Sequence, residues 1–508
     1  VSIAWLKNDQ RQNHLPRLTA NSMKQLIDIL PKEYPYSVTG NKEIEIGQLH
    51  IDSRQIQPSD VFIAIDGNLI DGHRFIGATI EKGAKVVVCE QLPTPLPPKV
   101  TFVQTQSTTH MVGLLASAYY DQPSKKLKLI GVTGTNGKTT VATLLYKLYL
   151  KLGFKTGLLS TVENRINNTV HPTTHTTPDA INLNKLLALM VADGCSHCFM
   201  EVSSHAIHQK RIGGLVFEMA AFTNITHDHL DYHNTFAEYR DVKKSLFDQL
   251  SSNAFALTNK DDKNGMVMVQ NTKATKYTYA LHSVSDFKAR IIEHDFNGML
   301  LEIDRKEAWY SLVGKFNAYN LLTVYATAFI LGQESEQIIT ALTSLTAVSG
   351  RFEYIKAPNK VVGVIDYAHT PDALQNVLET INAIRSKNEQ LITVVGCGGN
   401  RDHDKRPMMA KVSTELSDRV ILTSDNPRSE NPEAILADMQ TGIPPQHYKK
   451  VLKITDREQA IRTALSLSQP NDIILIAGKG HETYQEIKGV KHPFDDKEIF
   501  IKNASQIS

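Results

Sequence analysis

Gly134-Thr135-Asn136-Gly137-Lys138-Thr139-Thr140 lies between an apolar run, Leu127 to Thr133, and a helical pattern from Thr139 to about Leu152 that Gly153 ends. Strand, glycine turn and helix in that order make a concave anion site, because backbone N–H groups of the turn and of the helix start point at one spot. Lys138 adds a point charge for the β- and γ-phosphates of a nucleotide, and the Thr139 hydroxyl can ligate Mg²⁺. The spacing is unusual. A standard phosphate loop has four residues between its glycines. Here Val132 stands where the first glycine would be, and two residues separate Gly134 from Gly137.

A guanine nucleotide is the rival ligand. Asn259-Lys260-Asp261-Asp262 matches an Asn-Lys-x-Asp guanine-reading motif. That class also needs an Asp-x-x-Gly switch for the γ-phosphate to order. None occurs between Thr140 and Asn259, so ATP is the expected nucleotide.

Outward from the loop, the chain reads as an α/β protein of three domains. Its 508 residues fit about three domains at roughly 150 residues each. Residues 1–22 form a polar leader. Residues 23–122 form a small α/β domain with strands at Val61 to Ile65 and Lys85 to Val88, a helix from Phe75 to Lys82, and a helical pattern opening at Met23. Asp121 to Lys126 reads as a linker. Residues 123–348 are the central P-loop ATPase domain with a mostly parallel sheet, including strands at Cys198 to Val202 and Met219 to Thr223. Residues 349–508 are expected to be Rossmann-like. Strands at Val361 to Asp366, Leu391 to Val395, Val420 to Thr423 and Asp472 to Ala477 each precede a Gly- or Pro-bearing loop and a helix. That alternation predicts a parallel sheet with functional loops at its carboxyl ends.

Composition excludes several classes. A net charge of +2 does not argue for nucleic-acid binding. No apolar run approaches the roughly 18 residues of a membrane span. Four cysteines in such a chain do not make a disulfide framework, so a reducing, cytoplasmic compartment is expected. Cys195-x-x-Cys198 has no second pair and reads as packing.

Two acidic or histidine-rich stretches follow the loop. Glu201 ends an apolar strand in Met200-Glu201-Val202-Ser203-Ser204-His205, where a carboxylate can hold Mg²⁺. Asn224 to His233 packs three histidines and two aspartates into ten residues, which points to metal or proton chemistry.

Together these residues resemble the Mur ligase family, which builds the peptide stem of peptidoglycan. The loop resembles the family's ATP signature. Glu201-Val202-Ser203-Ser204-His205 and Asp228-His229-Leu230-Asp231 match its metal region. Gly314-x-Phe316-Asn317-x-x-Asn320, Gly350-Arg351-Phe352-Glu353 and Asp366-Tyr367-Ala368-His369-Thr370-Pro371 match further nucleotide-side motifs. Within the family the chain is most similar to the branch that adds the third stem residue. That likeness rests on Asp52-Ser53-Arg54, Gly396-Cys397-Gly398-Gly399-Asn400-Arg401-Asp402, Asp425-Asn426-Pro427-Arg428 and Gly478-Lys479-Gly480-His481-Glu482.

The resemblance implies that a substrate carboxylate attacks the γ-phosphate of ATP, and that an amine then displaces phosphate from the acyl phosphate. ATP would meet Gly134, Thr135, Asn136, Gly137, Lys138, Thr139, Thr140, Asn317, Asn320, Arg351 and Asp366. Thr139 and Glu201 would serve one Mg²⁺ and His229 the other. Lys243 would be carbamylated, since a bare ammonium cannot ligate a cation. Lys138, Lys243 and His229 are the implied catalytic residues.

UDP-N-acetylmuramoyl-L-alanyl-D-glutamate would meet Ile51, Ser53, Thr176, Thr177, Ser203, Gln209 and Arg211. The segment Asn68-Leu69-Ile70 departs from the family's His-Gln pair. The incoming amino acid would meet Arg401, Asp425, Asn426, Pro427, Arg428, Gly478 and Glu482. An arginine fork binds a carboxylate and repels an ammonium. Arg428 therefore favours meso-diaminopimelate over lysine. A monomer is expected. A lysine-adding ligase and a folylpolyglutamate synthetase are the alternatives.

Overall fold

The computed structural model describes residues 24–67, 70–171, 176–226, 228, 232–386 and 388–506. The leader, Met23, Asn68, Leu69 and His229 lie outside the described residues.

The first unit is a five-stranded sheet in the order Tyr36–Thr39, Thr101–Thr105, Val86–Cys89, Val61–Ile63 and Leu49–His50. Its pairings are parallel except at Tyr36–Thr39. The helix Thr108–Tyr119 starts where the Ser107 side chain accepts the His110 N–H, and it buries Met111, Leu115 and Tyr119 against the sheet. The same core takes in Ala180, Ile181 and Ala188 from the helix Ala180–Ala192 of the next unit. Gly113 permits this docking: a Cβ there would overlap the Gly213 carbonyl.

The central unit is an eleven-stranded sheet. Strands Thr156–Leu159, His197–Glu201, Lys128–Thr133, Met219–Phe222, Phe255–Asn259, Thr275–Ala280 and Phe287–Asp295 are neighbours in that order and all parallel. Hairpins extend both edges antiparallel. The pleat sends alternate residues to opposite faces. Ile130 and Val132 pack under the helices Lys138–Lys151 and Lys315–Ile330. Leu129 joins the other core with Tyr239 and Phe247 of the helix Phe236–Asp248.

The third unit orders its strands Glu353–Lys356, Val362–Asp366, Ile473–Ala477, Leu391–Val395, Arg419–Leu422 and Val451–Lys453. All pairings are parallel except the first.

Several elements differ from the sequence expectation. The pattern expected to open at Met23 yields only the single-turn helix Leu26–Ile29. The first-unit helix is Ile76–Glu81, preceded by a 3-10 turn at Gly72–Phe75. The strand at Val61 stops at Ile63, because the Gly72 N–H takes the Ile65 carbonyl into a turn. The linker carries a short 3-10 helix, Pro123–Lys125. The last strand is followed by a hairpin, Tyr484–Ile487 with Val490–Pro493, before the helix Asp496–Ala504.

Candidate active site

The phosphate loop closes on itself through backbone that only glycine adopts easily. Gly134 has φ +150° and Gly137 has φ +87°. A Cβ at Gly134 would overlap Thr223 Oγ1, and one at Gly137 would overlap Asn320 Oδ1. Asn136 N–H donates to Asn224 Oδ1 at 2.9 Å, and Thr223 Oγ1 donates to Asn136 O at 2.6 Å. The loop is thus fixed by the strand end beside it.

Lys138 folds back over the loop. Its Nζ donates to Gly134 O at 3.0 Å and Thr135 O at 2.7 Å. Burial lowers its pKa, against the pull of Glu201 and Asp228. Lys243 reaches the same place from the helix Phe236–Asp248, with Nζ 2.9 Å from Gly134 O. It is 1% exposed, and burial, then the nearby Lys138 charge, hold its pKa well below the ordinary lysine value. Burial thus disfavours its charged form.

Thr139 and Glu201 meet: Thr139 Oγ1 donates to Glu201 Oε2 at 3.0 Å. Glu201 is fully buried, and its Oε1 accepts the Thr161 N–H at 2.7 Å. Hard oxygens of this kind suit Mg²⁺. Arg351 crosses from the third unit, its NH2 3.1 Å from Thr139 Oγ1 and its guanidinium 4.4 Å above the Tyr367 ring. Asp366 accepts Phe352 N–H at 2.6 Å and Ala368 N–H at 2.7 Å, and burial pushes its carboxyl up to about 6. Asn317 supports Asn320 by accepting its amide at 3.0 Å.

A cavity of about 1610 Å³ has these groups on one wall. Thr176, Thr177, Ser203 and Arg211 line a second part, and Arg401, Asp425, Asn426, Arg428, Gly478 and Glu482 a third. Gln209 stands behind Arg211 and orients it, accepting from Nε at 3.0 Å and NH2 at 2.6 Å. Arg211 NH1 donates to Thr177 O at 2.8 Å. Arg428 has φ +51° and its NH1 donates to Gly399 O at 2.7 Å. Ile51 and Ser53 belong to the first unit and are not part of this lining.

The guanine-reading motif is used structurally. Asp261 accepts the Leu281, His282 and Ser283 N–H groups and the Tyr319 hydroxyl, while Asp262 accepts the Ile225 and Asn264 N–H groups.

Sequence reasoning missed Asp372, which accepts Asn136 Nδ2 at 2.9 Å across the two units. Its signal was available: it follows Pro371 in the first turn of the helix Pro371–Ile384. Lys479, fully buried beside Glu482, was quoted only as part of a motif. Arg457, paired with Asp496 in the core, carried no local signal.

The comparisons with known proteins agree over the whole of this architecture. Residues 45–120 match "Mur ligase family, catalytic domain", 132–328 match "Mur ligase middle domain", and 350–480 match "Mur ligase, glutamate ligase domain". The chain is 54% identical over 476 residues to the UDP-N-acetylmuramoyl-L-alanyl-D-glutamate–2,6-diaminopimelate ligase of Cytophaga hutchinsonii, covering 94% of this chain and 98% of that one. It is 52% identical over 475 residues to the ligase of the same name from Bacteroides fragilis, again covering 94% and 98%. A solved structure with that name superposes with a TM-score of 0.66 at 30% identity, covering 96% of this chain and 99% of that one. A folylpolyglutamate synthase from Mycobacterium tuberculosis shares the fold, with a TM-score of 0.58 at 17% identity over 77% of this chain and 93% of that one.

Proposed function

Because the chain belongs to the Mur ligase family, we propose that it is an ATP-dependent, ADP-forming ligase of peptidoglycan precursor synthesis. It joins meso-diaminopimelate to the D-glutamate of UDP-N-acetylmuramoyl-L-alanyl-D-glutamate. One observation carries the reading: a single cavity has the phosphate loop on one wall and the Arg428 fork on another.

The chemistry follows from the charges. The D-glutamate carboxylate attacks the γ-phosphorus, the bond to the bridging oxygen breaks, and ADP leaves. The amine then attacks the acyl phosphate carbon, the tetrahedral intermediate expels phosphate, and the ammonium proton passes to solvent. The obstacle is repulsion between a carboxylate and a polyphosphate, so positioning and neutralisation do most of the work. Lys138 and the start of the Lys138–Lys151 helix offset the polyphosphate charge. Arg211 holds an anionic part of the muramoyl peptide. Arg351, Asn320 and Asp366 complete the nucleotide side. Ile51 and Ser53 belong to the uracil end.

The oxygen donors fit Mg²⁺, which would supply further charge neutralisation. Thr139 and Glu201 would hold one ion. His229 and a carbamylated Lys243 would serve the other. The burial of Lys243, which disfavours its ammonium form, supports this, because the free amine is the form that adds CO₂. Lys243→Ala is expected to lose activity and to regain part of it with added formate or acetate. Full activity without either would count against carbamylation.

Arg401, Asp425, Asn426, Pro427, Arg428, Gly478 and Glu482 take the amino acid. The reaction is assigned to the cytoplasm, where ATP and the UDP-linked substrate are available. No helix among the described residues is long and apolar enough to cross a membrane. A monomer is proposed. Residues 23–122, 123–348 and 349–508 are proposed as the domains; each of the three large sheets falls within one of these ranges.

The test is phosphate release with UDP-muramoyl dipeptide while meso-diaminopimelate, L-lysine and glutamate are exchanged. Turnover with meso-diaminopimelate alone is expected. Comparable turnover with L-lysine would refute the amino-acid assignment, and turnover with a folate substrate would refute the branch of the family.

A further inference from the structure

Lys479 is fully buried and lies behind the cavity wall. Its Nζ donates to Asn426 Oδ1 at 3.0 Å and to Glu482 Oε2 at 3.0 Å. Asn426 Nδ2 donates to the same Glu482 oxygen at 2.7 Å. The three side chains form a closed triangle. Asn426 Oδ1 also accepts the Glu486 N–H at 2.9 Å, which fixes the amide orientation. Two of the three corners, Asn426 and Glu482, line the cavity. A buried ammonium needs compensating partners, so Lys479 locks both in place.

The charge matters as much as the position. An unshared Glu482 carboxylate would attract any cation, including the terminal ammonium of a plain basic amino acid. With Lys479 at 3.0 Å, part of that attraction is already spent. An ammonium reaching Glu482 then needs a second hold nearby. Arg428, whose NH1 is 2.7 Å from Gly399 O on the same wall, offers one only to a carboxylate.

We propose that Lys479 is a positioning and specificity-determining residue of the amino-acid pocket. It orients Asn426 and Glu482 and offsets the Glu482 charge, so that the pocket favours a far end bearing both ammonium and carboxylate over one bearing ammonium alone. This rests on the amino-acid assignment under Proposed function.

The experiment compares wild type, Lys479→Met, Glu482→Gln and the double variant by steady-state kinetics with meso-diaminopimelate and with L-lysine. In Lys479→Met, KM for meso-diaminopimelate is expected to rise about tenfold, as for loss of a charge-assisted hydrogen bond. KM for ATP and for the UDP-linked substrate stays unchanged. The preference for meso-diaminopimelate over L-lysine in kcat/KM falls by about the same factor.

If Lys479→Met does not fold, the double variant decides, because it leaves no uncompensated charge. With the Glu482 charge gone from both, its preference for meso-diaminopimelate over L-lysine should match that of Glu482→Gln, while its KM for meso-diaminopimelate rises further because Lys479 also holds Asn426. A double variant whose preference differs from that of Glu482→Gln overturns the proposal. So does a Lys479→Met enzyme whose KM values all rise together, or whose preference is unchanged. A wild type that ignores meso-diaminopimelate overturns the functional reading as well. One that uses it, with variants that keep its preference, overturns only the role of Lys479.

Discussion

His197, His369 and His481 are the histidines whose pKa desolvation lowers most. Burial drops His197 and His369 to about 4 and His481 to about 3. In the unfolded chain each titrates near 6.5. Between those values the unfolded state binds more protons, so their contribution is full above pH 6.5 and is lost as pH falls toward 4. Asp366 opposes them, since its raised carboxyl keeps a proton in the folded state up to about pH 6. Asp372 is raised by burial as well, while His110 and His171 are lowered, so the histidines outnumber the opposing carboxyls. The urea midpoint is therefore expected to fall steadily from pH 6.5 to pH 4, and His481→Asn should flatten that dependence. A midpoint constant over this range would show that burial of these rings does not govern stability.

Elements were legible where one surface dictates them. Leu391–Val395 and Ile473–Ala477 are buried along their whole length, so they read as unbroken apolar runs. The phosphate loop was legible because glycine, lysine and threonine each have one job there. The strands from Thr275 to Tyr310 escaped notice because they are partly exposed, and polar residues such as Lys276, Lys288 and Glu302 blur their alternation. In the site, Arg428 and Glu201 could be singled out from their motifs, whereas the bond from Lys479 to Asn426 spans 53 positions and has no local signature.

Arg457 was hidden for the same reason. It opens the helix Arg457–Leu467 and looks like a surface cation, yet it is buried on Asp496, 39 positions away. Its NH2 also holds Ala477 O at 3.0 Å, next to Gly478. Arg457→Met strands a buried carboxylate and should cost about 3–5 kcal/mol in urea unfolding. Pairing it with Asp496→Leu should recover most of that loss. Equal losses in the single and double variants would mean that packing, not charge, is what Arg457 supplies.

At the scale of the molecule, the second and third units are held together across the reaction cavity. Asp372 accepts Asn136 Nδ2 at 2.9 Å and Thr226 Oγ1 at 3.3 Å. Arg351 reaches Thr139 from the same unit. Both contacts land on the phosphate loop, so closure and nucleotide position are coupled. The bond from Asn136 to Asp372 spans 236 positions, and Asp372 also serves its own helix start, which masks the second role. Asp372→Ala should loosen the third unit without touching the first. The radius of gyration from solution scattering should increase. The kcat/KM for the amino acid, whose proposed site lies on the third unit, should fall by about tenfold or more, as for loss of a charged hydrogen bond. Binding of the UDP-linked substrate, proposed to rest on the first two units, should stay the same in a nucleotide-free titration. Asp372→Asn should give an intermediate defect, because its oxygen can still accept from Asn136 while the charge is gone. If scattering and amino-acid kinetics are both unchanged in Asp372→Ala, closure must depend on Arg351 instead.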